Sequence, residues 1–381
     1  MYYWIIFFTA LKLGVTSFGG PVAHLGYFRN EYVEKKKWLS SSTYQEIVAL
    51  CQFLPGPASS QVGITIGLLK GGIVGAILAF LGFTLPSVLL LIVASMTYQM
   101  FHLDAGLIQG LKVVAVVIVL HAIIGMIKQH IKGVMTALIA IFCLLLLLFL
   151  KVAWLHVVLI LLSGVLGAFC FKQEQKNQAS MSFQLSKRFG WISLSLLVFL
   201  MLVLPLIAYF TKYEDVVVFD KLFRTGLLVF GGGHVVLPLL QNEFVPQWIN
   251  EETFITGYGL AQAVPGPLFT FASFLGASIK GVYGGVLAMI AIFLPAFLLV
   301  FSVMPFWETL RNKSYIRNGL IGVNAAVVGI LMASFMSPIL QHGIIDIKTG
   351  VLSVLLYFLI YKKQPPWIIV ILGGTIGYLL L

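Results

Sequence analysis

Residues 134–150 (VMTALIAIFCLLLLLFL) and 191–210 (WISLSLLVFLMLVLPLIAYF) hold no charged side chain. Such runs approach or reach the ~20 residues that a helix needs to cross ~30 Å of hydrocarbon. In lipid every backbone N–H and C=O must be satisfied within the chain, which leaves only helices or closed barrels. No period-2 alternation dominates, so the runs predict helices. Composition agrees, with 60% hydrophobic residues, 10% charged residues and a mean hydropathy of +1.02. About a quarter of residues are charged in an ordinary soluble domain. The start, MYYWIIFFTALKLG, lacks a basic n-region and a small-residue cleavage site, which predicts a retained first helix.

The net charge of +11 has the same explanation. The basic residues lie mainly in short inter-helix loops, the pattern of membrane topology, so no nucleic-acid partner is expected. Cys51, Cys143 and Cys170 show no CxxC or metal-ligand spacing and read as small core residues in apolar sequence. Walker A, HExxH, GxSxG and dinucleotide motifs are all missing. ATP-driven pumping by this chain alone and hydrolase chemistry are therefore disfavoured, and neither enzyme activity nor a metal or cofactor is expected.

An internal repeat organises the rest. At an offset of 212, Lys12, Gly14, Phe18, Gly19, Gly20, Asn30, Glu31 and Val33 align with Arg224, Gly226, Phe230, Gly231, Gly232, Asn242, Glu243 and Val245. At an offset of 210, Trp38, Leu50, Gln52, Pro55, Gly56 and Pro57 align with Trp248, Leu260, Gln262, Pro265, Gly266 and Pro267, and Lys70, Gly71 and Gly75 with Lys280, Gly281 and Gly285. The expected organisation is an N-terminal repeat (1–171), a polar linker (172–188), a connecting transmembrane helix (189–211) and a C-terminal repeat (212–381). Each copy should hold a first helix (2–18 and 218–232), a polar interfacial segment (19–42 and 233–251), and a hydrophobic stretch broken by P-G-P (43–70 and 253–280). Four further helices complete each copy. The fold class is all-α integral membrane, with two homologous repeats, each holding a re-entrant or discontinuous helix, and about 10–13 spans.

Loop charges bear on orientation. RNEYVEKKKW in copy one carries four basic residues and its counterpart, QNEFVPQW followed by INEE, carries none; MFHLDA carries no Lys or Arg and its counterpart RNKSYIR three. Both reversals predict inverted copies. Span parity objects: a re-entrant break leaves five crossings per copy, and the extra helix then restores a parallel arrangement. The charge reversal is the more direct signal.

The twice-repeated break carries the chemistry. Proline removes a donor and clashes with the preceding turn, and glycine permits geometries that other residues resist. Pro57 and Pro267 suit the first turn of a new helix. Non-helical backbone at membrane depth survives only inside protein or beside a water-filled cavity, and the positive end of a half-helix suits an anion. Pro55, Gly56, Pro57, Pro265, Gly266 and Pro267 are therefore candidate substrate-binding residues. Ser59, Ser60 and Thr270 add hydroxyl donors, and the FGG glycines Gly19, Gly20, Gly231 and Gly232 join the set. A packing kink is the plain alternative for a single break; two at equivalent positions favour function.

Lys12 and Arg224 occupy equivalent positions in the first helices. A cation at the bilayer centre costs roughly 2.5–3.5 kcal/mol, so keeping one per copy suggests a paired role toward a dianion, against the alternative that each snorkels to the interface. Lys112 is a weaker candidate because Asn324 stands at its counterpart. Gln52 and Gln262, three residues before each PGP, suit hydrogen bonds to an oxyanion or to the broken backbone. Glu31 and Glu243 are candidate coupling acids, with an interfacial salt bridge the competing role for Glu31. His24, His121 and His234 are unmatched between copies and read as satisfied polar residues. Glu46, on the first half of the break, has Thr256 as its counterpart.

SFGGPVAHL with FLPGPASSQVG, then FGGGHVVLPLL with AVPGPLFTFASFLG and GVNAAVVG, resemble the chromate ion transporter family in its long, two-domain form. The similarity covers essentially the whole chain. It implies a multi-pass carrier of the bacterial inner membrane that extrudes chromate, confers resistance and is coupled to a proton or ion gradient. It also implies functional cations at Lys12 and Arg224; arginine is the more usual residue at position 12, and lysine keeps the charge without the bidentate geometry. Expected partners are chromate or a related oxyanion and the lipid bilayer, with a homodimer the assembly left open. Sulfate is the alternative substrate, and an anion channel the alternative mechanism.

Overall fold

The computed structural model describes residues 2–100, 104–150, 155–171, 185–230, 235–311, 313–362 and 364–381; every regular element among them is helical. The first copy comprises α1 (Tyr2–Thr16), α2 (Gly20–Phe28) with a π-helical continuation (Arg29–Lys35), α3 (Ser41–Phe53), α4 (Ala58–Met100), α5 (Ala105–His130), α6 (Val134–Phe149) and α7 (Leu155–Cys170). The connecting helix is α8 (Lys187–Thr211). The second copy comprises α9 (Glu214–Leu228), α10 (Val236–Phe244), α11 (Glu251–Ala263), a 3-10 turn (Leu268–Thr270) and α12 (Phe271–Val303). It ends with α13 (Trp307–Arg311), α14 (Ser314–Ser334), a second π-helical stretch (Phe335–Ile339), α15 (Leu340–Gly343), α16 (Ile347–Tyr361) and α17 (Pro366–Leu380). Residues 172–184 of the expected linker lie outside the described residues.

Local signals repeat with the copies. The Ser40 hydroxyl accepts the Thr43 N–H to start α3, and the Asn250 side-chain oxygen accepts the Thr253 N–H to start α11. Each cap satisfies one of the four orphan donors at a helix start. The segment after α1, expected as polar and interfacial, is instead folded into short helices that pack inward. Phe28 and Tyr32 are buried, Phe28 edge-on to Phe83 and Tyr32 stacked on Trp38. In α10, Leu237, Leu240 and Phe244 are buried likewise.

α4 and α12 are hairpins of two antiparallel arms. A Cβ on Gly67 would lie 2.3 Å from the Gly75 carbonyl oxygen, although residues eight apart on a straight helix are separated by about 12 Å. The chain turns back at Gly72 (φ 60°, ψ −153°) and, in copy two, at Gly281 (φ 60°, ψ −149°), a region open in practice only to glycine. There Gly276 meets the Gly284 carbonyl as Gly67 meets that of Gly75. Gly67, Gly72, Gly75 and Pro86 thus correspond to Gly276, Gly281, Gly284 and Pro295, an offset of 209. This corrects the expected pairing of Lys70, Gly71 and Gly75 with Lys280, Gly281 and Gly285: copy two lost one more residue just after its PGP.

The second arms of the hairpins pack against each other in opposite directions. Phe80 meets Phe293 and Phe297, and Gly285 packs on Ile92. The second arm of α4 also reaches the first arm of α12, where the Ser95 and Ser278 hydroxyls are 2.9 Å apart. The copies also trade their last helices. α5 packs on α16 and α17, with Gly110 against the Gly373 carbonyl; α14 packs on α6 and α7, with Gly322 against the Ser163 carbonyl. Small residues at these crossings let backbones approach closely, the usual solution where both helices are apolar all round.

Among the described residues, five helical stretches are long and apolar enough to cross a membrane: Ala105–His130, Lys187–Thr211, Ser314–Gly343, and Ala58–Met100 and Leu268–Leu310, which hold the hairpins α4 and α12. Five shorter apolar helices accompany them among the described residues. Broad apolar faces point outward, among them Trp191, Phe199 and Leu202 on α8 and Val354, Leu355 and Phe358 on α16. Cys51 and Cys143 are buried as expected, whereas Cys170 is exposed at the end of α7. Apolar sequence here borders either core or outer surface, and Cys170 faces outward.

Candidate functional site at the junction of the copies

The two breaks meet the opposite copy in a reciprocal way. The Gly56 N–H donates to the Val229 carbonyl at 2.6 Å, and the Gly266 N–H donates to the Ser17 carbonyl at 2.9 Å. Ser17 and Val229 are themselves equivalent, each just beyond the first helix of its copy. Every PGP tip is therefore tied to the end of the other copy's first helix. Gly56 and Gly266 hold φ of 108° and 103°, values that favour glycine. Around each tip the chain reverses, as the 3.6 Å approach of the Cys51 sulfur to the Thr65 hydroxyl shows for α3 and the first arm of α4.

Pro57 and Pro267 each stand just before the first helical residue of the next segment. Thr270 donates its hydroxyl to the Pro267 carbonyl at 2.7 Å. In the corrected register its counterpart is Gln61, whose amide nitrogen donates to the Pro55 carbonyl at 2.7 Å. Sequence reasoning missed Gln61; an amide four residues after Pro57, in otherwise apolar sequence, was the available signal. Ser59 and Ser60 are buried, and the Ser60 hydroxyl has no partner among the described residues. Gln52 is exposed, whereas the Gln262 amide nitrogen is buried and unpartnered among the described residues. Pro55 and Pro265 complete the two tips. Gly19 and Gly20 make the turn from α1 to α2 with φ of 94° and 77°. Gly231 and Gly232, with His234, lie outside the described residues.

The charged candidates divide into two clusters. Lys12 donates to Glu31 at 2.7 Å, and Glu31 is buried. In copy two Glu243 is taken by Lys221, at 2.6 Å, while Arg224 pairs with Asp220 one turn back on α9. Asp220 was not anticipated, because an acid four residues before an arginine reads as an ordinary helix-surface pair. Lys112 is bound to Glu252 of the other copy at 3.0 Å, and Trp307 donates to Glu46 at 3.1 Å, also across copies. These two side chains tie the copies together. His24 is buried edge-on to Phe83, beside the backbone of Ser17.

The arrangement offers two backbone breaks with hydroxyl and amide donors, each tied to the end of the other copy's first helix, and two clusters of paired charge on the first helices. No solved structure matches the chain. A family model, chromate transporter, matches it twice, over residues 4–168 and 216–378. The chromate transport protein of Cupriavidus metallidurans is 29% identical over 96% of this chain and 90% of its own length. That of Pseudomonas aeruginosa is 26% identical over 98% and 91%. An uncharacterized transporter of Methanocaldococcus jannaschii is 26% identical over 99% and 94%. With two matches to one family unit and several helices able to cross a bilayer, the chain is a multi-pass membrane protein and belongs to the chromate transporter family.

Proposed function

We propose that the protein is a secondary active transporter that exports chromate, a small tetrahedral oxyanion, across the bacterial inner membrane, coupled to a proton gradient. The reciprocal bonds Gly56 to Val229 and Gly266 to Ser17 carry this reading, because they bring both broken segments to the junction between copies. The copies are inverted in the bilayer, as the opposed second arms of α4 and α12 and the reversed loop charges support. The PGP tips are re-entrant, and the oxyanion sits near the midplane between them. It is held by backbone N–H groups, by Ser59, Ser60 and Thr270, and by Lys12 and Arg224 once their acids release them. Rocking of one copy against the other breaks and remakes the two glycine bonds, exposing the site to each side in turn.

The test is to challenge a sensitive host expressing the chain with chromate, sulfate, molybdate and arsenate separately. Selective protection against chromate is expected. Equal chromate sensitivity with and without the chain contradicts the named substrate, and protection against another oxyanion reassigns it.

A further inference from the structure

The repeated cations are held by acids of different origin. Lys12 takes Glu31 from the helix that follows α2, whereas Arg224 takes Asp220 from its own helix. In both pairs the cation is the more exposed partner, 52% for Lys12 and 41% for Arg224, and the acid lies behind it, 6% exposed for Glu31 and 3% for Asp220. Copy two keeps the repeated acid, Glu243, but Lys221 occupies it. At the positions of Asp220 and Lys221, copy one has Phe8 and Thr9. The second acid–base pair therefore belongs to copy two alone.

This pair is only half satisfied. One Asp220 oxygen accepts from Arg224, while its Oδ1 is buried with no partner among the described residues, as is the Arg224 Nε. A buried ion pair that leaves lone pairs and protons unmet is a poor stabilising device. An arginine with one open face and a carboxylate behind it is well arranged to exchange one anion for another.

We propose that Asp220 carries the coupling proton. Resting on the oxyanion-carrier reading above, the step runs as follows. A proton adds to the Asp220 carboxylate, which loosens its hold on Arg224. The oxyanion then takes the carboxylate's place at the guanidinium. On the far side the proton leaves Asp220, the ion pair re-forms and the oxyanion departs. Only one O–H bond is made and broken. The charged groups acting on Asp220 are Arg224 and Lys221 on α9 and Glu243 from α10. Lys221 and Glu243 neutralise each other, so the exchangeable pair is Asp220 with Arg224. Proton and oxyanion move together, so a dianion crosses with one net negative charge; the inside-negative membrane potential drives its exit, and an alkaline interior opposes it, which leaves the electrical component of the proton gradient as the driving one.

The test uses the full chain in proteoliposomes, with labelled chromate and the membrane potential clamped at zero. The parent is expected to accumulate chromate on the alkaline side under a pH gradient and to exchange labelled for unlabelled chromate without one. Asp220→Asn should cut gradient-driven accumulation by about tenfold or more while keeping exchange within about twofold of the parent. Asp220→Glu should restore accumulation with a displaced pH profile, which also serves if the asparagine variant does not fold. Gradient-driven accumulation undiminished in Asp220→Asn, or a parental pH profile in Asp220→Glu, overturns the proposal. A parent that exchanges chromate but ignores the pH gradient overturns it too. A parent that neither exchanges nor accumulates any oxyanion overturns the carrier reading instead.

Discussion

Substituting Gly266 by alanine probes the junction at one of its two tied points. The backbone there holds φ at 103°, and forcing an L-residue into such a region costs on the order of 1–3 kcal/mol. The new Cβ would lie 2.9 Å from the Ser87 hydroxyl oxygen and 3.3 Å from the Ser87 Cβ. Ser87 cannot swing aside freely, because its hydroxyl donates to the Thr84 carbonyl at 2.8 Å. Overpacking of this kind adds about 1–3 kcal/mol, so the sum is about 2–6 kcal/mol. Reversible unfolding in mixed micelles should show that loss. Repeating the substitution in a Ser87→Ala background removes the nearest atom but neither the strain nor the Cβ contact, and should recover roughly 1 kcal/mol as a coupling term. Parental stability in Gly266→Ala would refute the reasoning. Full recovery with Ser87→Ala would show that the backbone stores no strain there.

Other consequences can be checked in the same preparations. Gly72→Ala and Gly281→Ala have open space at the Cβ position yet demand a glycine-only conformation, so each should cost about 1–3 kcal/mol in the unfolding assay; no loss would contradict the hairpin reversal. Ser95→Cys with Ser278→Cys, in a background lacking Cys51, Cys143 and Cys170, should cross-link on mild oxidation and arrest transport, because the two hydroxyls are 2.9 Å apart across the copies. Failure to cross-link would contradict the packing of the second arm of α4 on the first arm of α12. The Asp346 carboxyl, which caps α16, is held below its usual range by the Thr349 N–H and hydroxyl. Its contribution is present above the unfolded value and is lost as pH falls through the lowered folded value. Protection of the amides at the start of α16, measured as hydrogen exchange relative to the intrinsic rate at each pH, should therefore fall in acid in the parent and not in Asp346→Asn, which caps without titrating; an equal fall in both would reject that role.

Much of the helical layout was legible because apolar runs end at punctuation. The stretch read as 134–150 folds as Val134–Phe149, and the helix before it, Ala105–His130, starts where Asp104 caps it. Hairpin reversal at Gly72 was not legible, since GLLKGGIVGAIL keeps its hydrophobicity through the turn. For the same reason the alignment slipped by one residue after the second PGP, and only the matching close approaches at Gly67 and Gly276 set it right. The broken segments were found, but not what ties them, because the acceptors on Ser17 and Val229 are backbone carbonyls that carry no sequence signature. Lys12 and Arg224 were recognised as equivalent. Their partners were not, because one acid lies across a turn and the other one turn back on the same helix. Outward-facing Cys170 marks a further limit: core and outer surface are both apolar in such a chain, so composition cannot tell them apart.

The central claim is that the junction of the two copies moves chromate by means of its paired cations. Uptake of labelled chromate into energised everted membrane vesicles measures it directly. The account predicts concentrative uptake that depends on the chain, collapses when a protonophore dissipates the protonmotive force, and is lost in Lys12→Ala/Arg224→Ala. Uptake at the parental rate in that double variant, or equal uptake with and without the chain, would contradict it.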